Sequence, residues 1–195
     1  NAILAIVPDA LEQVRKLDGK DSNQPLYGQA VVIKDNIHLK GMATTAGSLA
    51  LINNVASKDA PVVARLRNAG AIIVGKTNLS EWANFRSTSS SSGWSSVGGL
   101  TTNPFDPFCT ACGSSSGSGA AVGSGLVQIA LGTETDGSVT CPAAMCGIVG
   151  LKPTVGLLPA EGVVPISSSQ DTVGPMTTTV LLAAHTMDAM VLLSL

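Results

Sequence analysis

Residues 113–138 read GSSSGSGAAVGSGLVQIALGTETDGS, and this stretch decides the fold. Residues 117–126 are small and apolar, a composition that suits a helix packed closely against a sheet. Residues 127–131 read VQIAL, which is apolar apart from Gln128 and predicts a strand, and glycine and polar residues follow it. The stretch therefore predicts a helix, a buried strand and a loop in succession.

The same alternation occurs upstream. Residues 59–69 carry apolar side chains at helical spacing, and Gly70 is typical of a helix stop. Residues 71–74 and residues 30–33 are continuous apolar runs rich in β-branched side chains, as in strands that are buried on both faces. These patterns predict an α/β fold in which a mixed, largely buried β-sheet is flanked by helices on both faces.

Both ends of the chain carry apolar patterns of their own. Residues 2–17 place their apolar side chains on one helical face, which predicts a helix that ends at Gly19 and the polar run after it. Residues 180–195 predict a buried core helix that stops without a cap or turn signal. We therefore expect residues 1–195 to form a single core, incomplete at both ends, within a longer domain.

Composition argues against several classes of protein. Of the 195 residues, 45% are hydrophobic and 12% are charged, which is ample apolar material for a buried core. The net charge of −2 and the 3% of aromatic residues give no reason to expect nucleic acid as a partner. No run of about 18 uncharged apolar residues predicts a membrane span. We expect a soluble globular protein.

The cysteines leave two interpretations open. The spacing Cys109-x-x-Cys112 is compatible with half of a zinc site or with a redox pair, but zinc needs two further ligands at suitable spacing. Buried thiols beside a serine-rich loop are the favoured interpretation, and a reducing compartment such as the cytoplasm fits them. We predict neither a metal nor a cofactor. The four cysteines are Cys109, Cys112, Cys141 and Cys146.

Two serine-rich segments have competing interpretations. Residues 87–96 have the composition of a flexible linker, but Trp94 within them favours an ordered loop near a site. Residues 113–119 offer a flexible backbone, free N–H groups and hydroxyls before a helix, as at an anion-binding helix start, although such runs are more often linkers. No Gly-Lys-Ser/Thr follows, so a phosphate-binding loop is not predicted.

Ser138 is a candidate nucleophile. It comes just after a predicted strand and directly after Gly137, so a tight turn can expose its hydroxyl beside several backbone N–H groups. Converging N–H groups are what an oxyanion hole requires. The alternative is an ordinary strand-to-helix turn in which Asp136 and Ser138 act as caps.

A serine nucleophile needs a base, and Lys34 is the candidate. His38 and His185 lie in no suggestive context, whereas Lys34 follows a strand that we expect to be buried. Burial lowers the pKa of a lysine and can leave it neutral. The alternative is a salt bridge from Lys34 to Asp35 or to another carboxylate.

Six short motifs occur along the chain in one order, and their combination over about residues 1–176 resembles the amidase signature family. The resemblance implies the fold of that family, which agrees with the α/β pattern above. The motifs are IKDN at 33–36, GKTN at 75–78, GSSSGS at 113–118, TETDGS at 133–138, CGIVGLKPT at 146–154 and QDTVGPM at 170–176.

The resemblance implies a Ser–cis-Ser–Lys triad. In it Lys34 is the base, Ser114 is a relay on a cis peptide bond, and Ser138 is the nucleophile that becomes acylated. The two serines are 24 residues apart (138 − 114 = 24), which is their spacing in that family. The implied substrate and oxyanion contacts come from Ser114 and from the backbone N–H groups of Thr135, Asp136, Gly137 and Ser138.

The implied reaction is hydrolysis of a linear carboxamide to a carboxylate and ammonia or an amine. The motifs CGSSSGS and TETDGS are most similar to the peptide amidase and plant or fungal amidase branch, whereas the transamidating glutaminyl-tRNA enzymes usually have DTGGS. The expected partner is a small-molecule amide, with the remainder of the same chain or a second copy as further candidates. Two alternatives stay open: a non-enzymatic fragment or pseudo-amidase that acts as a structural or binding module, and a metal-binding protein that uses the four cysteines.

Overall fold

A six-stranded mixed sheet forms the centre of the fold, which a computed structural model describes for residues 1–17 and 23–191. The described residues contain the six strands of this sheet and the two strands of a separate hairpin. In chain order they are β1 (Ile3–Ile6), β2 (Ala30–Lys34), β3 (Ile72–Thr77), β4 (Trp94–Ser95), β5 (Gly99–Leu100), β6 (Ile129–Glu134), β7 (Val149–Gly150) and β8 (Thr172–Thr177). The helices are α1 (Ala10–Leu17), α2 (Pro61–Asn68), α3 (Ser116–Gly123), α4 (Thr140–Met145) and α5 (Val180–Met190).

The central sheet has the strand order β1-β3-β2-β6-β8-β7. The middle strand β2 is parallel to both of its neighbours, β3 and β6. The outer pairs β1–β3, β6–β8 and β7–β8 are antiparallel, and β4 and β5 form a separate hairpin. The prediction of a mixed sheet is confirmed, and so are the strands expected near residues 30–33, 71–74 and 127–131.

Helices cover both faces of the sheet, as predicted. Side chains alternate between the two faces along a strand. Val31 and Ile33 of β2 pack on one face with apolar side chains of α2 and α5. Val32 packs on the other face with side chains of α3 and α4.

Small residues bring α3 very close to the sheet. The residues from Ser116 to Val122 are all buried. A Cβ atom at Gly132 of β6 would lie 2.7 Å from the Ser115 hydroxyl oxygen, so a larger residue there would push the start of the helix away. The close packing that was predicted from the small residues at 117–126 is confirmed.

The prediction of one helix over residues 2–17 is wrong. Residues Ile3–Ile6 form β1, which pairs with β3, and only Ala10–Leu17 is helical. Pro8 accounts for the break, because the residue before a proline is disfavoured in helical conformation. Leu11 is 72% exposed, so the apolar pattern of α1 does not face the core of the described structure. Gly19, the expected helix stop, lies outside the described residues.

The C-terminal helix is buried on one side only. The predicted helix is present, and Ala183, Met187 and Met190 of α5 are buried in the core, whereas Val180 on the opposite side is 73% exposed. Thr179 caps the start of α5, because its side chain accepts a hydrogen bond of 3.2 Å from the Leu182 N–H. Residues 192–195 of the predicted helix lie outside the described part of the chain.

The cysteines differ from the prediction of buried thiols. Cys112 and Cys141 form a disulfide with their Cα atoms 6.0 Å apart, Cys109 is an exposed thiol, and only Cys146 is a buried free thiol. This pairing could not be predicted from the sequence, because it depends on how α4 packs beside the Gly/Ser loop. The pattern therefore gives no support to a reducing compartment, since disulfides persist in oxidising ones.

Neither a metal centre nor a membrane span is found in the described part of the chain. Across residues 1–17 and 23–191, no group of three or more His, Cys, Asp and Glu side chains is arranged to hold a metal ion. Within the same residues, no helix is both long and apolar enough to cross a membrane.

Candidate active site

The candidate site forms where three chain segments meet at one edge of the sheet. The parallel neighbours β2 and β6 place their carboxyl ends at the same edge. Lys34 is the last residue of β2, and Glu134 is the last residue of β6. The Gly/Ser loop that contains Ser114 leads into α3, which packs against β6 from the face opposite to α2 and α5.

Lys34 is fully buried, and its amine contacts two residues. The Nζ atom lies 2.7 Å from the Ser114 hydroxyl oxygen. It also lies 2.9 Å from the Thr133 hydroxyl oxygen and 3.3 Å from the Thr133 carbonyl oxygen. The alternative of a salt bridge to Asp35 is not adopted, because Asp35 pairs instead with Lys76 at 2.9 Å.

These contacts suit a neutral amine. Burial lowers the pKa of Lys34 to about 7, even though the nearby carboxylates of Glu134 and Asp171 act in the opposite direction. A neutral amine has two N–H groups and one lone pair. In the structure the Lys34 amine donates to the Ser114 hydroxyl oxygen and to the two oxygens of Thr133. When the amine is neutral, the two Thr133 oxygens can accept its two N–H groups, and its lone pair is then available to accept the hydroxyl proton of Ser114.

Thr133 is a residue whose role the sequence did not reveal. Its hydroxyl also accepts a hydrogen bond of 2.9 Å from the side-chain amide of Asn36, so it is fixed from two sides. No local sequence pattern points to Thr133. The strand register explains its position, because Ile33 pairs with Leu131. That register brings the end of β6 beside Lys34.

The Ser114 and Ser138 segments are adjacent. The peptide bond between Gly113 and Ser114 is cis, as the resemblance implied. The Ser114 carbonyl accepts a hydrogen bond of 3.0 Å from the Ser80 N–H, and the Ser115 N–H donates to the Ser138 carbonyl at 3.1 Å. Among the described residues, the Ser138 hydroxyl itself has no hydrogen-bond partner, so a direct bond between the two serine hydroxyls is not part of this structure.

Glu134 organises the loop around Ser138 and is a second residue whose role the sequence did not reveal. Its carboxylate accepts hydrogen bonds from the backbone N–H groups of Gly137 at 3.0 Å, Val139 at 2.8 Å and Thr140 at 2.8 Å. Burial raises the pKa of the Glu134 carboxyl, but these hydrogen bonds lower it by more, so its net shift is downward. Its position ahead of a glycine turn and a helix is the sequence signal for this role.

The turn itself needs a glycine. Gly137 has a φ of +75°, in the left-handed region that other residues rarely adopt. The alternative of Asp136 and Ser138 as helix caps does not hold, because Val139 is the N-cap residue of α4 and no side chain caps it.

The backbone N–H groups predicted to bind the oxyanion differ in whether they already have a hydrogen-bond partner. The Gly137 N–H is already bound to Glu134. The N–H groups of Asp136 and Ser138 have no hydrogen-bond partner within the described part of the chain. The side chain of Thr135 is held by a 2.5 Å hydrogen bond from its hydroxyl to the Asp171 carboxylate.

The serine-rich segment 87–96 lines a cavity of about 500 Å³ together with Trp82 and Arg86. This segment is tied to the Ser114 loop at one end. The Gly93 N–H donates to the Ser80 hydroxyl at 2.8 Å, and the Ser80 N–H donates to the Ser114 carbonyl. The segment is therefore joined to the candidate site rather than separated from it.

Comparison with known proteins gives concordant matches. The chain matches the sequence profile of the family described as Amidase over residues 1–192. A probable amidase of Arabidopsis thaliana is 48% identical over 198 aligned residues, which cover 98% of this chain and 39% of that protein. A glutamyl-tRNA(Gln) amidotransferase component from an Exiguobacterium species is 45% identical, covering 92% of this chain and 37% of that protein.

Solved structures agree with the sequence matches. The X-ray structure of native peptide amidase from Stenotrophomonas maltophilia is 52% identical and superimposes with a TM-score of 0.93. The match covers 97% of this chain and 39% of that chain. This sequence thus spans 39% of the length of the Arabidopsis relative and of the peptide amidase.

Proposed function

Because the chain belongs to the amidase family, we propose that it supplies the catalytic centre for hydrolysis of a linear carboxamide. In this proposal Ser138 is the nucleophile, Ser114 is the proton relay and Lys34 is the base. The products are a carboxylate and ammonia or an amine. The substrate is a small-molecule amide, and residues 1–195 are one core of a longer catalytic domain.

The observation that carries the proposal is the surroundings of Lys34. A buried amine with a pKa near 7 lies 2.7 Å from a serine hydroxyl, and no carboxylate is paired with it among the described residues. A base of this pKa is half neutral near neutral pH, which suits general base catalysis. A lysine with only a structural role is served better by a carboxylate partner.

The acylation step moves two protons. The Ser138 hydroxyl forms a bond to the carbonyl carbon and gives its proton to Ser114, while the hydroxyl proton of Ser114 passes to the Lys34 amine. The protonated Lys34 then returns a proton through Ser114 to the leaving nitrogen as the carbon–nitrogen bond breaks. Water attacks the acyl group on Ser138 through the same relay and releases the carboxylate.

The backbone around Ser138 is proposed to bind the oxyanion. The unpartnered N–H groups of Asp136 and Ser138 support this role, and Thr135 lies next to them on the same turn. The Gly137 N–H contributes only if it leaves Glu134, so we propose that Gly137 acts mainly through its left-handed turn. This refines the four donors that the resemblance implies.

The TETDGS motif, rather than overall identity, favours simple amide hydrolysis over transamidation. The peptide amidase is 52% identical to this chain, whereas the amidotransferase components reach 48%, so the difference in identity is small. The TETDGS motif is of the hydrolase type. Carboxamides and glutamine are each tested as substrates, with and without glutamyl-tRNA. This comparison distinguishes amide hydrolysis from transamidation.

The test is reaction with a fluorophosphonate, which modifies activated serine nucleophiles. The protein used is the natural chain that contains this sequence, and its fold is checked by circular dichroism. Peptide mapping should find the adduct on Ser138, and Ser138→Ala should remove it without changing the melting temperature by more than a few degrees. A folded protein without an adduct would instead support the non-enzymatic alternative, for which the free Ser138 hydroxyl is the relevant observation.

A further inference from the structure

We propose that the Cys112–Cys141 disulfide is a positioning element of the candidate site, and that its reduction by a dithiol slows acylation of Ser138. This inference rests on the proposed function, because its readout is the reactivity of Ser138. It concerns residues that take no part in the proton relay.

The disulfide joins the two loops that carry the serines. Cys112 precedes Gly113 and Ser114 in the Gly/Ser loop. Cys141 is in α4, which begins directly after the Ser138 loop. The two cysteines are 29 residues apart in sequence, and their Cα atoms are 6.0 Å apart in space.

The two sides of Ser114 are held to different degrees. On its carboxyl side, α3 is buried and the Ser115 N–H bonds to the Ser138 carbonyl. On its amino side, residues 105–110 are exposed, and Phe108 is 97% exposed. Nearer to Ser114, Ala111 is buried and the Cys112 carbonyl accepts a hydrogen bond of 2.7 Å from the Ser116 hydroxyl, so non-covalent contacts hold only the last residues before the loop. An exposed segment moves easily unless something else holds it. The disulfide is the covalent tether on that weaker side.

The other end of the disulfide is anchored in the loop that carries the nucleophile. The Cys141 N–H donates to the Gly137 carbonyl at 2.8 Å. The preceding N–H groups of Val139 and Thr140 are held by the Glu134 carboxylate. Cys141 is therefore connected to the same hydrogen bonds that shape the turn before Ser138.

The Cys112–Cys141 disulfide is accessible to thiol reagents. Cys112 and Cys141 are both half-buried, so a small dithiol can reach them. A thiolate of the dithiol attacks one sulfur and forms a mixed disulfide, and the second thiol of the reagent displaces the remaining cysteine. The protein disulfide gains two electrons and two protons, and the dithiol loses the same number as it closes to a cyclic disulfide.

Opening the bridge is expected to lower the acylation rate constant by roughly 10- to 100-fold, because a misplacement of about 1 Å is enough for a loss of that order. Lys34 lies on β2 and on neither loop, so the pH midpoint of the reaction should not move. Glutathione disulfide should restore the rate.

The experiment measures fluorophosphonate acylation of the natural chain that contains this sequence, before and after treatment with dithiothreitol. Alkylation under denaturing conditions counts the free thiols in each state. The Cys112→Ser/Cys141→Ser double variant should have the rate of the reduced protein and should not respond to dithiothreitol. Cys109→Ser is the matched control, because it removes an exposed thiol and leaves the bridge intact.

The amplitude of labelling separates positioning from loss of fold. A positioning role lowers the rate constant while the final fraction of labelled Ser138 stays the same, whereas partial unfolding lowers the fraction. Equal rate constants in the oxidised and reduced proteins overturn the inference, and so does recovery of Cys112 and Cys141 as free thiols without reductant. Absence of labelling in both states counts against the proposed function itself.

Discussion

Lys34 and Lys76 are two buried lysines on adjacent parallel strands that have opposite surroundings. Lys76 pairs with Ile33 in the register between β2 and β3, while Lys34 pairs with Thr77. Because successive side chains point to opposite faces of a sheet, the two amines lie on different faces. Lys76 faces the loop after β2, and Lys34 faces the Ser114 loop.

The partners of the two amines differ more than their burial does. Lys76 bonds to the Asp35 carboxylate at 2.9 Å and to the Ile37 carbonyl at 2.7 Å. Burial lowers the pKa of Lys76, but the charge and hydrogen bond of Asp35 act against that shift. Among the described residues, the direct partners of Lys34 are hydroxyl and carbonyl oxygens. The comparison shows that both amines are buried and that their direct partners set them apart, because within the described residues Lys76 has a carboxylate partner and Lys34 has none.

The largest expected effect comes from Lys34→Met. Removal of a general base typically costs about 10²- to 10⁴-fold, so acylation of Ser138 should fall by an amount in that range. The melting temperature should change little, because a buried amine without a carboxylate partner is replaced by an apolar side chain of similar length. Fluorophosphonate kinetics and thermal melting measure the two effects. Near-normal acylation would exclude Lys34 as the base.

Lys76→Met should have the opposite profile. It leaves the Asp35 carboxylate buried without its partner, which typically costs about 3–5 kcal/mol of stability. Protein that stays folded should still acylate, since Lys76 does not contact the relay. Urea unfolding measures the loss, and Lys58→Met is the control because its ion pair with Glu161 is exposed. A stable but unreactive Lys76→Met protein would contradict the assignment of a structural role to Lys76 and a catalytic role to Lys34.

The pH profile sharpens the comparison, because in the proposed mechanism only neutral Lys34 can accept the proton from Ser114. The acylation rate should rise about tenfold per pH unit below 7 and level off above about 8, since the pKa of Lys34 is about 7. The rise goes with loss of a proton from the ammonium, so acid lowers the rate. A rate that is constant from pH 5 to 9 in folded protein would contradict a lysine base.

Thr133→Val should have the smallest effect. It removes the hydroxyl that accepts from both Lys34 and Asn36, so Lys34 loses one of the contacts that orient its lone pair. We expect a rate about tenfold lower, equivalent to one hydrogen bond of about 1.4 kcal/mol. Thr77→Val is the matched control, because Thr77 is also buried but bonds to Ser118 instead of a lysine. Equal rates in the two variants would exclude Thr133 from orienting the base.

Local patterns of apolar residues predicted secondary structure correctly where burial was the dominant interaction. The apolar runs at 30–33 and 71–74 predicted buried strands, because a continuous apolar segment is stable only when both faces are covered. The pattern at 2–17 failed, because strand pairing of Ile3–Ile6 with β3 and the break at Pro8 outweighed the helical spacing. Residues that act through long-range contacts, such as Thr133, which meets Lys34 across 99 residues, had too little local signal to reveal their role.

The sequence by itself determined the buried strands, the glycine turn before Ser138 and the ordered motifs of the amidase family. These depend on short-range chemistry and on motif order, which a linear chain displays directly. Only the tertiary structure decided that Lys34 rather than Lys76 lacks a carboxylate, and that Cys112 joins Cys141. The reason is distance along the chain: Lys34 meets Thr133 across 99 residues, and strand register and packing alone bring such residues together.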